Sequence, residues 1–173
     1  ITPTGTLTVS DNRVPVNELE VLYTSADGAG YSAAIAPKDA GAYRVEYKVA
    51  DSNPNYTGNA SYTFTISRKA ATVAPKAVSI TKGSTIPTFE LVYTGLVSGE
   101  SLTPSATPTF TCFEADGSTP VSTSTAAGTY TITWTNTGIT FTGANNYDLT
   151  KTPTATLTIS NPSYSGGGSY TPS

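Results

Sequence analysis

The sequence predicts an all-β chain built as two β-sandwich modules in tandem, on three observations. Short runs in which apolar and polar residues alternate recur along the 173 residues, separated by turn-forming dipeptides. Composition favours strands: Thr, β-branched with a hydroxyl for the solvent face, is abundant, Leu and Glu are few, and Met, His and Gln are absent. A set of landmarks in the first half also returns in the second.

In the first half, "GTLTVS" alternates and meets the turn signal Asp11-Asn12. "ELEVLYTS" follows and is closed by "ADGAG", whose Asp27-Gly28 pair favours a tight turn. "YSAAIAP" is a weaker strand. "GAYRVEYKVA" is the best one, with Tyr43, Val45, Tyr47 and Val49 on one face and Arg44, Glu46 and Lys48 on the other. After the loop "DSNPNYTGN", "ASYTFTIS" brings Tyr62, Phe64 and Ile66 onto one face. The basic residues of "RKAATVAPK" (Arg68, Lys69 and Lys76) fall where a linker between modules is expected.

The second half offers strands at "AVSITKG" and "TFELVYTG", a turn-like "GLVSGESL", then "TPTFTCFEA" leading to the turn Asp116-Gly117. "GTYTITWTN" places Tyr130, Ile132 and Trp134 on one face, and "ATLTIS" closes the module with Leu157 and Ile159. The tail "NPSYSGGGSYTPS" reads as a flexible spacer. The boundaries are therefore 1–70, 71–160, and a Gly/Ser/Tyr linker at 161–173.

The landmarks repeat in order. Ala40-Gly41-Ala42-Tyr43, Asn55-Tyr56 and "YTFTI" return as Ala127-Gly128-Thr129-Tyr130, Asn146-Tyr147 and "ATLTI". The spacing is close to the ~100 residues of an immunoglobulin-like sandwich, which makes the predicted fold a tandem of such sandwiches. In each copy a Gly allows a sharp approach and a Tyr opens the following strand. Such a Tyr can bury its ring while its hydroxyl reaches a backbone carbonyl, as in a tyrosine corner.

Composition narrows the functional classes. A net charge of −3 leaves no basic stripe to neutralise phosphates, so nucleic acid is not an expected partner. No histidine is present, and with it goes the side chain that titrates near neutrality, which lowers the case for an enzyme. Cys112 is the single cysteine and alternates with Thr111 and Phe113, so it reads as a small buried hydrophobe. No run of roughly 18 apolar residues occurs, and no membrane insertion is expected.

Residues 71–160 resemble the MBG group of bacterial immunoglobulin-like domains. The resemblance rests on "KGSTIPTFELVYTGLVSGESLTPSATPTFTC", "STAAGTYTITWT", "NNYDL" and "ATLTI", and within them on Gly83, Pro87, Gly95-Leu96-Val97, Gly99-Glu100 and Leu102. Lys82-Gly83 stands where the family often has Tyr-Gly. Residues 1–70 look like a looser bacterial immunoglobulin-like repeat whose opening strand is missing, so that one sheet edge would be open, and the chain reads as a piece of a longer polypeptide. The resemblance implies a stalk or spacer module of a large secreted protein on a bacterial cell surface, partnered by neighbouring modules, with no catalytic residues, cofactor or metal.

Asp27 with Asp39 and Glu114 with Asp116 are the available carboxylate pairs, and both read as turn residues. Residues 51–55 are oxygen-rich but hold one carboxylate, too few for a calcium loop. Lys48, with Glu46 near it, is the conceivable start of a Lys–Asn isopeptide crosslink of the kind some surface adhesins carry, but it points to the wet face. The sequons at Asn55 and Asn59 read as incidental. Tyr31, Tyr56, Phe141 and Tyr147 are the rim aromatics. Of these, Phe141, in an insertion relative to the first module, and Tyr31 are the candidate partner-binding residues, for a host glycan or an extracellular-matrix protein. Direct adhesion is thus the rival to a spacer. A carbohydrate-binding accessory platform is disfavoured, because the alternation turns most aromatics inward.

Overall fold

The structure is a computed structural model, and it describes residues 8–9, 12–13, 16–26 and 30–163. By backbone contacts the chain divides into two compact units: residues 1–69 with 145–147, and 70–144 with 148–173. Strand is the dominant element in both.

Unit 1 contains β1 (Thr8–Val9), β2 (Asn12–Arg13), a short 3-10 turn (Val16–Glu18), β3 (Leu19–Ser25), β4 (Ser32–Ala33), β5 (Gly41–Val49) and β6 (Asn59–Ile66). β1 and β2 form a two-residue antiparallel ladder, and the rest make one sheet in the order β4-β3-β5-β6. β5 sits at its centre because its alternation is cleanest: Tyr43, Val45 and Val49 are buried while Arg44 faces solvent. Tyr23 of β3 lies opposite Val45, and Phe64 of β6 lies opposite Tyr43, so the rings of Tyr23, Tyr43 and Phe64 form one cluster. Tyr62 shares the face of Phe64, as expected, yet is 66% exposed; among the described residues β6 ends its sheet. Strand "YSAAIAP" shrinks to Ser32–Ala33. The Asp27-Gly28 turn, most of "GTLTVS" and the Gly-rich tail lie outside the described residues.

The remaining elements, which lie in unit 2 apart from Lys69 and residues 145–147, are β7 (Lys69–Pro75), β8 (Val78–Thr81), β9 (Leu91–Thr94), β10 (Thr103–Pro104), β11 (Phe110–Cys112), β12 (Gly128–Trp134), β13 (Phe141–Thr142), a 3-10 turn (Ala144–Asn146), β14 (Tyr147–Lys151) and β15 (Thr154–Ser160). One sheet has the order β11-β12-β15-β8, with β8 parallel to β15; a second has the order β14-β7-β9; β10 and β13 form a short pair. Rings bridge the sheets: Phe89, just before β9, meets Phe110 of β11 at 6.3 Å, and Phe141 touches both Tyr93 of β9 and Trp134 of β12. The arrangement is consistent with an immunoglobulin-like β-sandwich. Its core is Cys112, Ile132, Leu157 and Ile159, with Val78 and Ile80 packed against them.

Two expectations change here. Most of the segment read as a linker, "KAATVAP", is strand β7: Ala71, Val73 and Pro75 alternate inward and are buried, while Arg68, Lys69 and Lys76 stay exposed. Small apolar residues at a period of two are enough for a strand that lies close to its neighbours. Gly95 shows how close. Its φ is +83°, and a Cβ there would stand 2.7 Å from the Ala70 carbonyl oxygen, so no larger residue fits without a shift. The second correction concerns Phe141, which lies not at an exposed rim but in the core, 8% exposed.

Candidate functional site

The repeated Gly-x-Tyr element is a structural device in both units. Tyr43 donates its hydroxyl proton to the Asp39 carbonyl at 3.0 Å, and Tyr130 donates to the Ala126 carbonyl at 2.8 Å, each four residues back. The glycine two residues earlier makes room for the ring: a Cβ on Gly41 would lie 3.3 Å from Tyr43, and one on Gly128 would lie 3.4 Å from the Tyr130 hydroxyl. The tyrosine-corner expectation holds twice.

Around Phe141 the sequence had suggested an exposed loop. The ring instead meets Tyr93 at 5.9 Å and 84°, and Trp134 at 6.2 Å and 69°, both edge-to-face. Lys151 closes the cluster. Its Nζ stands 5.6 Å from the Phe141 centroid and 5.9 Å from Trp134, and it donates to the carbonyls of Thr137 and Ile139 at 2.7 and 2.6 Å. Asn136 fastens the same loop: its Oδ1 accepts from Trp134 Nε1 and from the Thr109 amide, while its Nδ2 donates to Thr107 O. Sequence reasoning missed Lys151 and Asn136, since both act on backbone carbonyls and amides far along the chain. Tyr147, another rim candidate, is buried at 3%.

Tyr31 remains at the surface of unit 1. It is half-buried, packs edge-to-face on Tyr43 at 5.9 Å, and donates its hydroxyl proton to the Ile35 carbonyl at 2.6 Å. That bond folds the 31–35 loop back and leaves the Ile35 side chain 73% exposed. Tyr31 and Ile35 are the apolar pair the described part of unit 1 presents on a loop.

The polar candidates are absorbed by local structure. Asp116 accepts from the amides of Ser118 and Thr119 and from the Thr119 hydroxyl, which holds its carboxyl down to about 2. Glu114 accepts from Thr125 Oγ1 at 2.7 Å. The Asp116 contacts belong to a turn, as the sequence suggested, whereas Glu114 is half-buried and bonds eleven residues along the chain; Asp27 of the other pair lies outside the described residues. In the 51–55 loop, Asn53 Oδ1 accepts from the Asn55 and Tyr56 amides, and Asp51 pairs with Lys48 at 2.7 Å. Lys48 lies opposite Asn59, whose amide donates to Glu46. Its hydrogen bond to Asp51 raises its pKa, which keeps the amine protonated and poorly nucleophilic. Burial pushes the Cys112 thiol up, as fits an inert core sulfur. Among the described residues, no three His, Cys, Asp or Glu side chains gather as a metal site, and no helix is long and apolar enough to cross a membrane.

A family model described as the MBG domain of the YGX type matches residues 71–158, which spans unit 2 from β7 to β15. Domains of this type are non-catalytic structural modules. No curated protein and no solved structure matches the chain.

Proposed function

Because the chain belongs to the MBG-domain family of bacterial immunoglobulin-like modules, we propose that it is a stalk or spacer segment of a secreted bacterial surface protein. In this role its partners are neighbouring modules of the same polypeptide. The observation that carries this reading is the parallel pairing of β8 with β15, over Val78, Ser79, Ile80 and Thr81 against Leu157, Thr158, Ile159 and Ser160. The chain enters unit 2 through β7 and β8 and leaves it through β15. Tension along the chain loads β7 first and, once β7 has left its sheet, drags β8 and β15 in opposite directions along their length. Their hydrogen bonds are loaded together rather than peeled one at a time, which is the geometry that slows forced unfolding.

Single-molecule stretching of the whole chain by its ends tests the proposal. A resolved unfolding event for unit 2 that falls to a much lower force in Ile80→Pro is the expected outcome. Extension of unit 2 with no resolvable force event would overturn the spacer reading.

Direct adhesion is the second reading, and the exposed Ile35 beside the half-buried Tyr31 favours it. Phe141 would act there only indirectly, by holding its loop. A saturable hit on an array of host glycans and extracellular-matrix proteins that disappears in Tyr31→Ala and in Ile35→Ser would establish it. Silence from folded protein would leave the spacer.

A further inference from the structure

The outward face of β12 carries no charge, and a cleft opens on it. Thr129, Thr131 and Thr133 alternate with the inward Tyr130, Ile132 and Trp134, and each lies beside a threonine of β15, Thr158, Thr156 and Thr154 in turn. On β5, the strand of unit 1 with the same opening, the corresponding face carries Arg44, Glu46 and Lys48. A threonine on a strand has few side-chain rotamers, so these hydroxyls stand in fixed rows, and each can both donate and accept.

Phe113 stands beside them. It follows the Cys112–Ile132 pair of β11 and β12, so the parity that buries Cys112 turns its ring outward, to 37% exposed. Among the described residues of unit 2, no other aromatic is exposed to this degree. Phe113, the 115–117 turn and the three β12 threonines line a cleft of about 310 Å³. That is the small end of ligand sites, which run from about 300 to 1,000 Å³. Among the described residues that line it Glu114 alone is charged, and its Oε1 already accepts from Thr125.

We propose that this cleft binds a neutral sugar ring, a hexopyranose unit of a glycan. The C–H face of the sugar packs on Phe113, whose π face is electronegative. Its hydroxyls exchange hydrogen bonds with Thr129, Thr131 and Thr133. A phosphate, sulfate or uronate group meets no cation among the lining residues, and a cationic ligand meets one carboxylate that is already engaged, so charge selects against both. A wholly apolar ligand would strip water from the threonine hydroxyls and return no hydrogen bond. The site is on a different unit from the loop of Tyr31 and Ile35, and it requires neither of the roles proposed above.

The probes are neutral tetrasaccharides of glucose, mannose and galactose, both α- and β-linked, with tetragalacturonate as the charged counterpart. Each is titrated into the unaltered full chain while the backbone amides are followed by NMR. The expected result is saturable shifts at Phe113, in the 115–117 turn and along residues 129–133 with at least one neutral probe, and none with tetragalacturonate. Phe113→Ala should weaken that binding about tenfold, and Phe113→Trp should retain it. Thr131→Val, which keeps the branched shape and removes the hydroxyl, should weaken it as well. Ile35→Ser should leave it unchanged, which separates this site from adhesion through the unit 1 loop. No saturable shift with any neutral probe would overturn the proposal. So would shifts confined to other residues, equal binding of tetragalacturonate, or an affinity unchanged in Phe113→Ala.

Discussion

Strands β5 and β12 begin alike and end differently. Each opens with the same glycine and tyrosine, and each buries its next inward residue completely, Val45 in one and Ile132 in the other. At the following inward position Tyr47 is half-buried whereas Trp134 is 1% exposed. The cause is the insertion between β12 and β14. It carries Phe141 over the indole, and Asn136 and Lys151 tie it down. The comparison teaches that a shared strand pattern sets register and the first burial layer, while a loop unique to one copy decides how large an aromatic can be covered.

Trp134→Ala should show the largest effect, a loss of about 3–5 kcal/mol in urea unfolding of unit 2 followed by circular dichroism. Tyr47→Ala should cost about 2 kcal/mol in unit 1, and equal losses would break the comparison. Lys151→Met keeps an apolar stem but leaves the Thr137 and Ile139 carbonyls without their donor. A cost of about 2 kcal/mol, with stronger acrylamide quenching of Trp134, is expected; unchanged quenching would remove Lys151 as the clasp. Tyr43→Phe and Tyr130→Phe delete the same hydrogen bond in the two copies, so each should cost about 1 kcal/mol in its own unit. A large inequality would mean the two corners are not equivalent.

The smallest effect is acid-dependent. Asp116 has a folded pKa of about 2, below that of the unfolded chain, so its contribution is present above the unfolded carboxylate range and is lost as pH falls toward 2. Asp116→Asn should flatten that part of the stability profile of unit 2 and leave the profile near neutrality unchanged. An unchanged acid limb would count against the turn contacts.

Much of this was legible in the sequence, for a local reason. β5 and β12 announce themselves because alternation and a flanking glycine are properties of neighbouring residues, and the Tyr-to-carbonyl bond closes within five residues. β7 was missed because Ala and Thr between lysines look like a linker; what makes it a strand is the partner it finds in β9. Phe141 was misjudged for the same reason. Its burial depends on Tyr93, far away in sequence, and on an ammonium group that arrives from β14. The exposure of Tyr62 could not be read from its own strand either, since parity gives the face but not whether another strand covers it.

Cys112 gives unit 2 an internal clock. Its sulfur is the only thiol in the chain, and it sits on β11 opposite Ile132 of β12 with 5% of the residue exposed. A thiol reagent reaches it when the core of Ile132, Leu157 and Ile159 around it opens, so the labelling rate counts openings of the sandwich interior, one molecule at a time. No other cysteine competes for the reagent, and no cysteine has to be engineered in to read it. Applied to chains held under load, the same chemistry would report how often the domain opens before it unfolds.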